Sequence, residues 1–129
     1  MSKYGFGRDV AMSFDAAVSK VTEALASEGF GVLTDIDVSA TMKKKIGVEM
    51  PEYRILGACN PLLAHRAISA EPSIGLLLPC NVVVRRLDAN NVRVEFMDPV
   101  AVMELVGRPE ARELASEVRQ RLERVMQAL

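Results

Sequence analysis

Hydrophobic and polar positions follow two different periods near the N-terminus of this chain. Between residues 4 and 12 they alternate, which predicts a strand with one solvent-exposed face. Beyond Ser13 the apolar residues recur at helical spacing, at Phe14, Val18, Val21 and Leu25. Because Ser13 is a good N-cap and Gly29 stands where a C-terminal glycine is expected, we predict one helix between them.

The same reasoning predicts four further strands and four further helices. The strands are expected at 30–36, 53–59, 81–87 and 92–97, with the last two joined as a hairpin around 88–91. Helices are expected at 39–46, at 61–69 after an Asn60-Pro61 start, and from Pro99 to about 106. The segment 74–78 is short and wholly apolar. A final amphipathic helix is marked by Leu114, Val118, Leu122, Val125 and Leu129.

These elements define the predicted fold class. A chain of 129 residues fits one domain, 1–129, which is large enough to bury a core. Helices and strands are interspersed and the hairpin makes the later sheet antiparallel, so we predict an α+β fold, an antiparallel sheet with helices packed on one face. The other face of such a sheet needs solvent or a partner, and a homodimer is therefore predicted.

Composition and charge argue against several functions. The net charge is −1 at pH 7 and tryptophan is absent, which disfavours a general nucleic-acid binder. No apolar run approaches the roughly 20 residues that cross a bilayer, and the N-terminus lacks the apolar segment of a signal peptide. We therefore predict no membrane partner and a cytoplasmic location, where the two cysteines would be thiols.

A repeated Cys-Asn pair is the strongest chemical signal. Cys59-Asn60 and Cys80-Asn81 contain both cysteines of the chain, and the single histidine, His65, lies six positions after Cys59. Cys59 ends a predicted strand and precedes a helix N-terminus, where a thiolate has a lowered pKa and is a better nucleophile and metal ligand. The two Cys-Asn pairs are the predicted ligand-binding residues. The predicted metal ligands are Cys59, Cys80 and His65.

Three interpretations of these residues stay open. Two thiols and one imidazole are one ligand short of a closed structural zinc site, whereas two thiolates alone satisfy a soft ion such as Cu(I). Alternatively, Cys59 is a nucleophile or redox thiol and Cys80 is its resolving partner. In the third interpretation both cysteines are small buried hydrophobes and Asn60 only caps a helix. Whether the protein is an enzyme is therefore undecided at this stage.

Two charged groups give weaker signals. Asp35 and Asp37 fall on one face of a strand, where paired carboxylates can do acid–base work, yet aspartates at strand ends commonly cap or turn the chain. The run Lys43-Lys44-Lys45 could meet an anionic ligand, but a solvated charge run is the commoner case.

Several segments of the chain, in order, resemble one known family. They are 29–38, 53–61, 63–67, 71–72, 75–82 and 98–99, and the two Cys-Asn motifs are the most specific of them. Together they resemble domain-of-unknown-function family 302 of bacteria and archaea. The resemblance implies a fold similar to the TATA-binding-protein-like arrangement of strand, helix, four strands and helix, and it implies nothing about DNA binding. The family has no settled activity, so the resemblance sharpens the fold more than the function.

The functional prediction combines these points. We predict a small cytoplasmic domain, a homodimer, that binds a small ligand or a soft metal ion such as zinc or copper near Cys59 and Cys80. The alternatives are a thiol-dependent redox enzyme that uses the same two cysteines and a purely structural interaction module.

Overall fold

One antiparallel sheet of five strands organises the computed structural model, which describes residues 2–129. The strands are β1 (Gly5–Val10), β2 (Gly31–Asp37), β3 (Tyr53–Cys59), β4 (Cys80–Asp88) and β5 (Asn91–Met97). Their order across the sheet is β1-β5-β4-β3-β2, so β4 lies at the centre and β1 and β2 are the edge strands.

Helices occupy most of the connections between strands. They are α1 (Phe14–Ser27), α2 (Val38–Ile46), α3 (Pro61–Ala70), a 3₁₀ helix (Pro72–Leu77), α4 (Pro99–Met103) and α5 (Pro109–Gln127). Once the short additional helices are set aside, the order is strand, helix, four strands, helix, which confirms the predicted α+β class and arrangement. No helix within residues 2–129 is long and apolar enough to cross a membrane.

Capping side chains determine where the helices begin. Ser13 Oγ accepts the backbone N–H three residues later at 3.2 Å, and Asn60 Oδ1 does the same at 3.3 Å, as the sequence predicts. Asp37 caps α2 by accepting the Ala40 N–H at 2.9 Å, and this bond lowers the pKa of its carboxyl group. Asp37 is therefore one of the strand-end aspartates that act as caps.

Two segments differ from the sequence-based expectation. The sequence predicted neither a helix nor a strand for the apolar segment 74–78. In the structure most of this segment belongs to the 3₁₀ helix Pro72–Leu77. Helix α4 ends at Met103, earlier than the predicted position near 106. The N–H groups of Leu105 and Val106 bond to carbonyls three residues back, so the chain continues as a tighter turn after the α-helix has ended.

Buried side chains form two separate clusters. The first, called the main core, packs the sheet against α1 and α5 and contains Val10, Phe14, Ala17, Val21, Ala24, Leu25, Phe30, Leu56, Ala58, Val82, Val84, Val92, Val94, Phe96, Leu122 and Val125. The second cluster contains helical residues only: Leu63, Ala67, Ile74, Met103, Ala111, Leu114 and Ala115. Val118 on α5 packs against both, so α5 is the element that joins them.

Ion pairs stabilise α5 and tie it to the rest of the fold. Two i,i+4 pairs form along the helix, Arg121–Glu117 at 3.2 Å and Arg119–Glu123 at 2.8 Å. Arg119 also contacts the carboxylate of Asp98, whose side chain caps α4. Helix α5 is thereby tied to the end of β5 as well as to its own surface.

Candidate functional site

The two cysteines lie side by side at one end of the sheet. Strands β3 and β4 are neighbours, and their register places Ala58 directly opposite Cys80, so Cys59 is one position further along β3. Cys80 is buried, Cys59 is half-buried, and both are free thiols. The pairing of these two strands therefore brings both Cys-Asn pairs to the same end of the sheet.

Both thiols line a cavity of about 340 Å³. One side of this cavity is formed by the ends of β2, β3 and β4, and the other by α3, the 3₁₀ helix, α4 and α5. Its walls include all seven residues of the second cluster, together with Phe30 and Ala58 of the main core. The cavity therefore lies between the two clusters, and its size falls within the roughly 300–1,000 Å³ typical of small-molecule sites.

Small side chains keep this cavity open. Five of its twenty lining residues are alanines, namely Ala58, Ala64, Ala67, Ala111 and Ala115. An unfilled apolar space is unfavourable, because the atoms around it lose contacts that a packed core would provide. The volume of about 340 Å³ is more than twice the ~150 Å³ of an engineered apolar cavity that binds benzene. An apolar molecule here would make contacts that the protein does not make by itself.

A close approach at Gly57 shapes the thiol end of the cavity. A Cβ atom at this position would collide with Thr34 Oγ1 and would lie 2.9 Å from Pro79 Cγ. Only glycine at position 57 leaves room for the side chains of Thr34 and Pro79 to lie against β3. Thr34 and Pro79 both line the cavity. Leu33, beside the irregularity in β2, also lines the cavity and is 67% exposed, so the cavity reaches the surface next to β2.

Asn60 lies at the same end of the cavity, and its side chain accepts a hydrogen bond from one of the free backbone N–H groups at the N-terminus of α3. Its side chain is bonded to the Leu63 N–H, and Pro61, the first residue of the helix, has no N–H. Its amide nitrogen would be 2.9 Å from a Cβ at Gly29, a glycine with φ of +84°. The helix start therefore offers a thiolate at Cys59 fewer free donors than an uncapped helix would.

The buried thiol of Cys80 ionises less readily than an ordinary cysteine. Burial, and to a smaller extent the charge of the nearby Cys59, raises the pKa of the Cys80 thiol from 9.0 to about 11. Cys80 is therefore neutral at neutral pH and is a poor nucleophile, because the thiolate is the reactive form. Cys59 is the more accessible thiol of the pair.

His65 lies away from the two thiols. It lines a separate surface hollow with Glu110 and Glu113, where α3 faces α5. Among the residues that the structure describes, 2–129, no group of three or more His, Cys, Asp or Glu side chains could hold a metal ion. The predicted set of Cys59, Cys80 and His65 is thus not assembled in one place, whereas the two cysteines are.

Asn81 lies on the opposite side of the sheet from the cavity. It is exposed, lies across from Gly57 on β3, and lines a shallow hollow on the face that the helices leave uncovered. Of the four predicted ligand-binding residues, the structure brings three to the cavity: Cys59, Asn60 and Cys80.

Neither of the two weaker candidate groups lines the cavity. Asp35 forms an ion pair with Arg54 at 3.4 Å, and Asp37 caps α2. The lysine run lies in the exposed last turn of α2, where Lys43 pairs with Glu49 at 3.3 Å. These contacts agree with the structural interpretation of both groups.

Motif reasoning missed the far wall of the cavity. Met103, Ala111 and Ala115 are distant in sequence from both cysteines and carry no reactive group. A signal was nevertheless present, because Ala111 and Ala115 lie four residues apart on the buried face of α5. Two small residues at adjacent turns of a buried helix face predict either a close helix contact or open space.

Comparison with known proteins agrees with this fold. The family model described as "Domain of unknown function DUF302" matches residues 6–129, and the chain belongs to that family. Among solved structures, the crystal structure of an uncharacterized conserved DUF302 protein from Bacillus stearothermophilus is similar, with a TM-score of 0.90 and 24% sequence identity over 98% of each chain. This similarity shows the fold. No curated protein matches the chain.

Proposed function

We propose that this DUF302 protein binds a small apolar molecule in the cavity between its main core and its second cluster, beside Cys59 and Cys80. The observation that supports this most directly is the cavity itself, about 340 Å³ lined by the whole second cluster and by both thiols. A ligand there would remove apolar surface from water at roughly 25 cal/mol per Å². It would also contact residues of both clusters.

Each polar residue of the cavity has a part in this proposal. Cys59 and Cys80 present soft, weakly polar groups at one end, next to the hydroxyl-bearing Thr34. Asn60 holds the start of α3 in place and so positions the wall that α3 contributes. The remaining walls supply apolar contact and no polar anchoring.

A fluorescent apolar probe tests the proposal. N-phenylnaphthylamine should bind the full chain with increased fluorescence, and Ala115→Leu, which places a larger side chain in the cavity, should reduce that increase. Ala16→Leu makes the same change on the exposed side of α1 and should leave it intact. An equal signal from the wild type and Ala115→Leu would place the probe elsewhere and contradict the proposal.

We also propose that a second copy of this chain covers the β2–α2 side. Strand β2 is an edge of the sheet, and within the described part of the chain α2 contains no buried residue. The exposed apolar side chains of this surface are Leu33, Ile36, Met42, Ile46 and Val48. Within residues 2–129, the backbone N–H and C=O groups along the free edge of β2 have no strand partner on that side, so the β2 edge of a second copy, related by a two-fold axis, can bond to them.

Substitution of one apolar residue on α2 tests this association. Ile46 is 66% exposed, and Ile46→Glu should convert a dimer to a monomer in analytical ultracentrifugation, because it would bury a charge in the contact. Leu105→Glu changes an equally apolar, 80% exposed residue outside this surface and should leave the dimer intact. A monomeric wild type at high concentration would refute the proposed association.

A thiol-centred function is the second candidate. The observation that favours it is that both thiols line one cavity and interact electrostatically, with Cys59 accessible and Cys80 buried. In the cytoplasm, the location predicted from the sequence, both would stay reduced and available. Native thiol titration with metal analysis would support this candidate by a fast-reacting Cys59, or by a stoichiometric soft ion lost in Cys59→Ser. Slow thiols without metal would exclude it.

A further inference from the structure

We infer that the molecule bound in this cavity is uncharged, with an apolar body and at most one or two polar atoms, placed at the thiol end. The inference rests on the proposed function and narrows it to a chemical class. It separates neutral ligands, such as alcohols, aldehydes and hydrocarbons, from the fatty acids and other anions that many apolar pockets hold.

The lining residues contain no charge for an ionised group to meet. All twenty are uncharged side chains, and the polar ones, Thr34, Cys59, Asn60 and Cys80, lie together at one end. Moving an ionised carboxylate from water into such surroundings is strongly unfavourable unless a cation or several donors receive it. These polar residues supply only neutral donors, namely the Thr34 hydroxyl, the Asn60 amide N–H groups and weak S–H groups, and none of them carries the positive charge that would offset a buried carboxylate.

Basic side chains near the cavity are engaged by other groups. Arg121, next to Gly29 and Asn60, donates to the Glu28 carbonyl at 3.0 Å and to the Glu117 carboxylate at 3.2 Å. Its Nε is a buried donor without a partner, but Arg121 is not among the residues that line the cavity. An anion could reach this guanidinium only by displacing those bonds.

The two arginines near the start of α5 are also engaged by other groups. Arg108, just before α5, pairs with Glu71 at 3.3 Å and donates to the Ala70 carbonyl at 3.2 Å. Arg112, one residue beyond Ala111, lies 3.9 Å from the Glu104 carboxylate. Neither arginine is therefore free to bind an ionised group of a ligand.

A pair of probes with the same carbon chain tests the inference. Decanol and decanoate would compete with N-phenylnaphthylamine for the full wild-type chain, at about pH 8, where decanoate is ionised. We expect decanol to displace the dye at a concentration at least ~10-fold lower than decanoate, because only decanoate must give up the hydration of a charge. Direct binding of decanol, measured by calorimetry without the dye, should weaken in Ala115→Leu, because the leucine occupies part of the same cavity.

The possible outcomes separate this inference from the proposed function. Displacement by decanoate as strong as or stronger than by decanol overturns the neutral-ligand class and leaves the apolar site standing. If decanoate then fails to displace the dye from Arg121→Gln, Arg121 is the residue that binds the carboxylate. Failure of both probes and of the dye to bind the wild type overturns the proposed function and, with it, this inference.

Discussion

The main core and the second cluster share the helix α5 but are built differently. In the main core, strand residues such as Val82, Val94 and Phe96 alternate toward α1 and α5, and they are at most 1% exposed. The second cluster has no strand residue, and three of its seven members are alanines. Alternating strand side chains interlock with helices above them, whereas helices that meet through alanines leave a space between them.

The proposed ligand site thus lies in the less completely packed region. A cavity of about 340 Å³ leaves the atoms around it with fewer contacts than a packed core would give them. The main core supplies the stability that tolerates such a space. The following predictions test this division, from the largest expected effect to the smallest.

Leucine truncation in the two regions should give different losses of stability. Leu122 belongs to the main core and Leu114 to the second cluster, and both lie on α5. We expect Leu122→Ala to lower the free energy of unfolding by about 4 kcal/mol, and Leu114→Ala by about 2 kcal/mol, because Leu114 already borders open space. Urea denaturation of both variants measures the contrast, and equal losses would contradict it.

Enlarging an alanine should have opposite consequences in the two regions. Ala17 of the main core is 1% exposed and closely surrounded, so Ala17→Leu should cost about 1–3 kcal/mol through overpacking. Ala115→Leu extends into the cavity and should cause no loss, or a gain of up to about 1 kcal/mol, while it weakens binding of the apolar probe. Thermal and urea unfolding decide between these results. A destabilised Ala115→Leu would mean that the cavity is closed in solution.

The sequence predicted the elements well because their ends are encoded locally. Ser13, Asn60-Pro61 and Gly47 are capping residues whose role depends on a few neighbours, and the structure has helix ends at each. Whether the two thiols approach each other depends on the order of the strands, which no local motif determines. The register pairs Ala58 on β3 with Cys80 on β4, so these two strands are neighbours.

The composition of the site was harder to predict. Cys80 and Asn81 are adjacent on a strand, where successive side chains point to opposite faces, so one Cys-Asn pair could not place both residues in one site. His65 is on the helix that Asn60 begins, yet helix phase turns it toward Glu110 and Glu113. The cavity itself depends on how α5 lies against α3, a long-range relation that no local motif contains.

Removing the helix caps of the two regions should cost similar stability but affect binding differently. Ser13 caps α1 over the main core, and Asn60 caps α3 beside the cavity. Both Ser13→Ala and Asn60→Ala should lower the free energy of unfolding by about 1 kcal/mol. Only Asn60→Ala should weaken binding of the apolar probe, because it loosens a wall of the cavity. Retained binding in Asn60→Ala would show that the α3 start does not shape the site.

The smallest effect concerns the pH dependence of stability at the thiol end of the cavity. The pKa of Cys80 is raised from 9.0 to about 11 in the folded state, so folding favours the neutral thiol. This contribution is fully present below about pH 9 and is lost as the pH rises from 9 toward 11, since the unfolded chain then ionises more readily. Between pH 7 and 9.5 the wild type should lose up to about 1 kcal/mol more than Cys80→Ala, in which the other titrating groups are unchanged. Iodoacetamide should correspondingly modify Cys59 first and reach Cys80 only at higher pH. Parallel stability profiles for the wild type and Cys80→Ala would show that Cys80 is hydrated rather than buried, and the cavity would then be open to water at its thiol end.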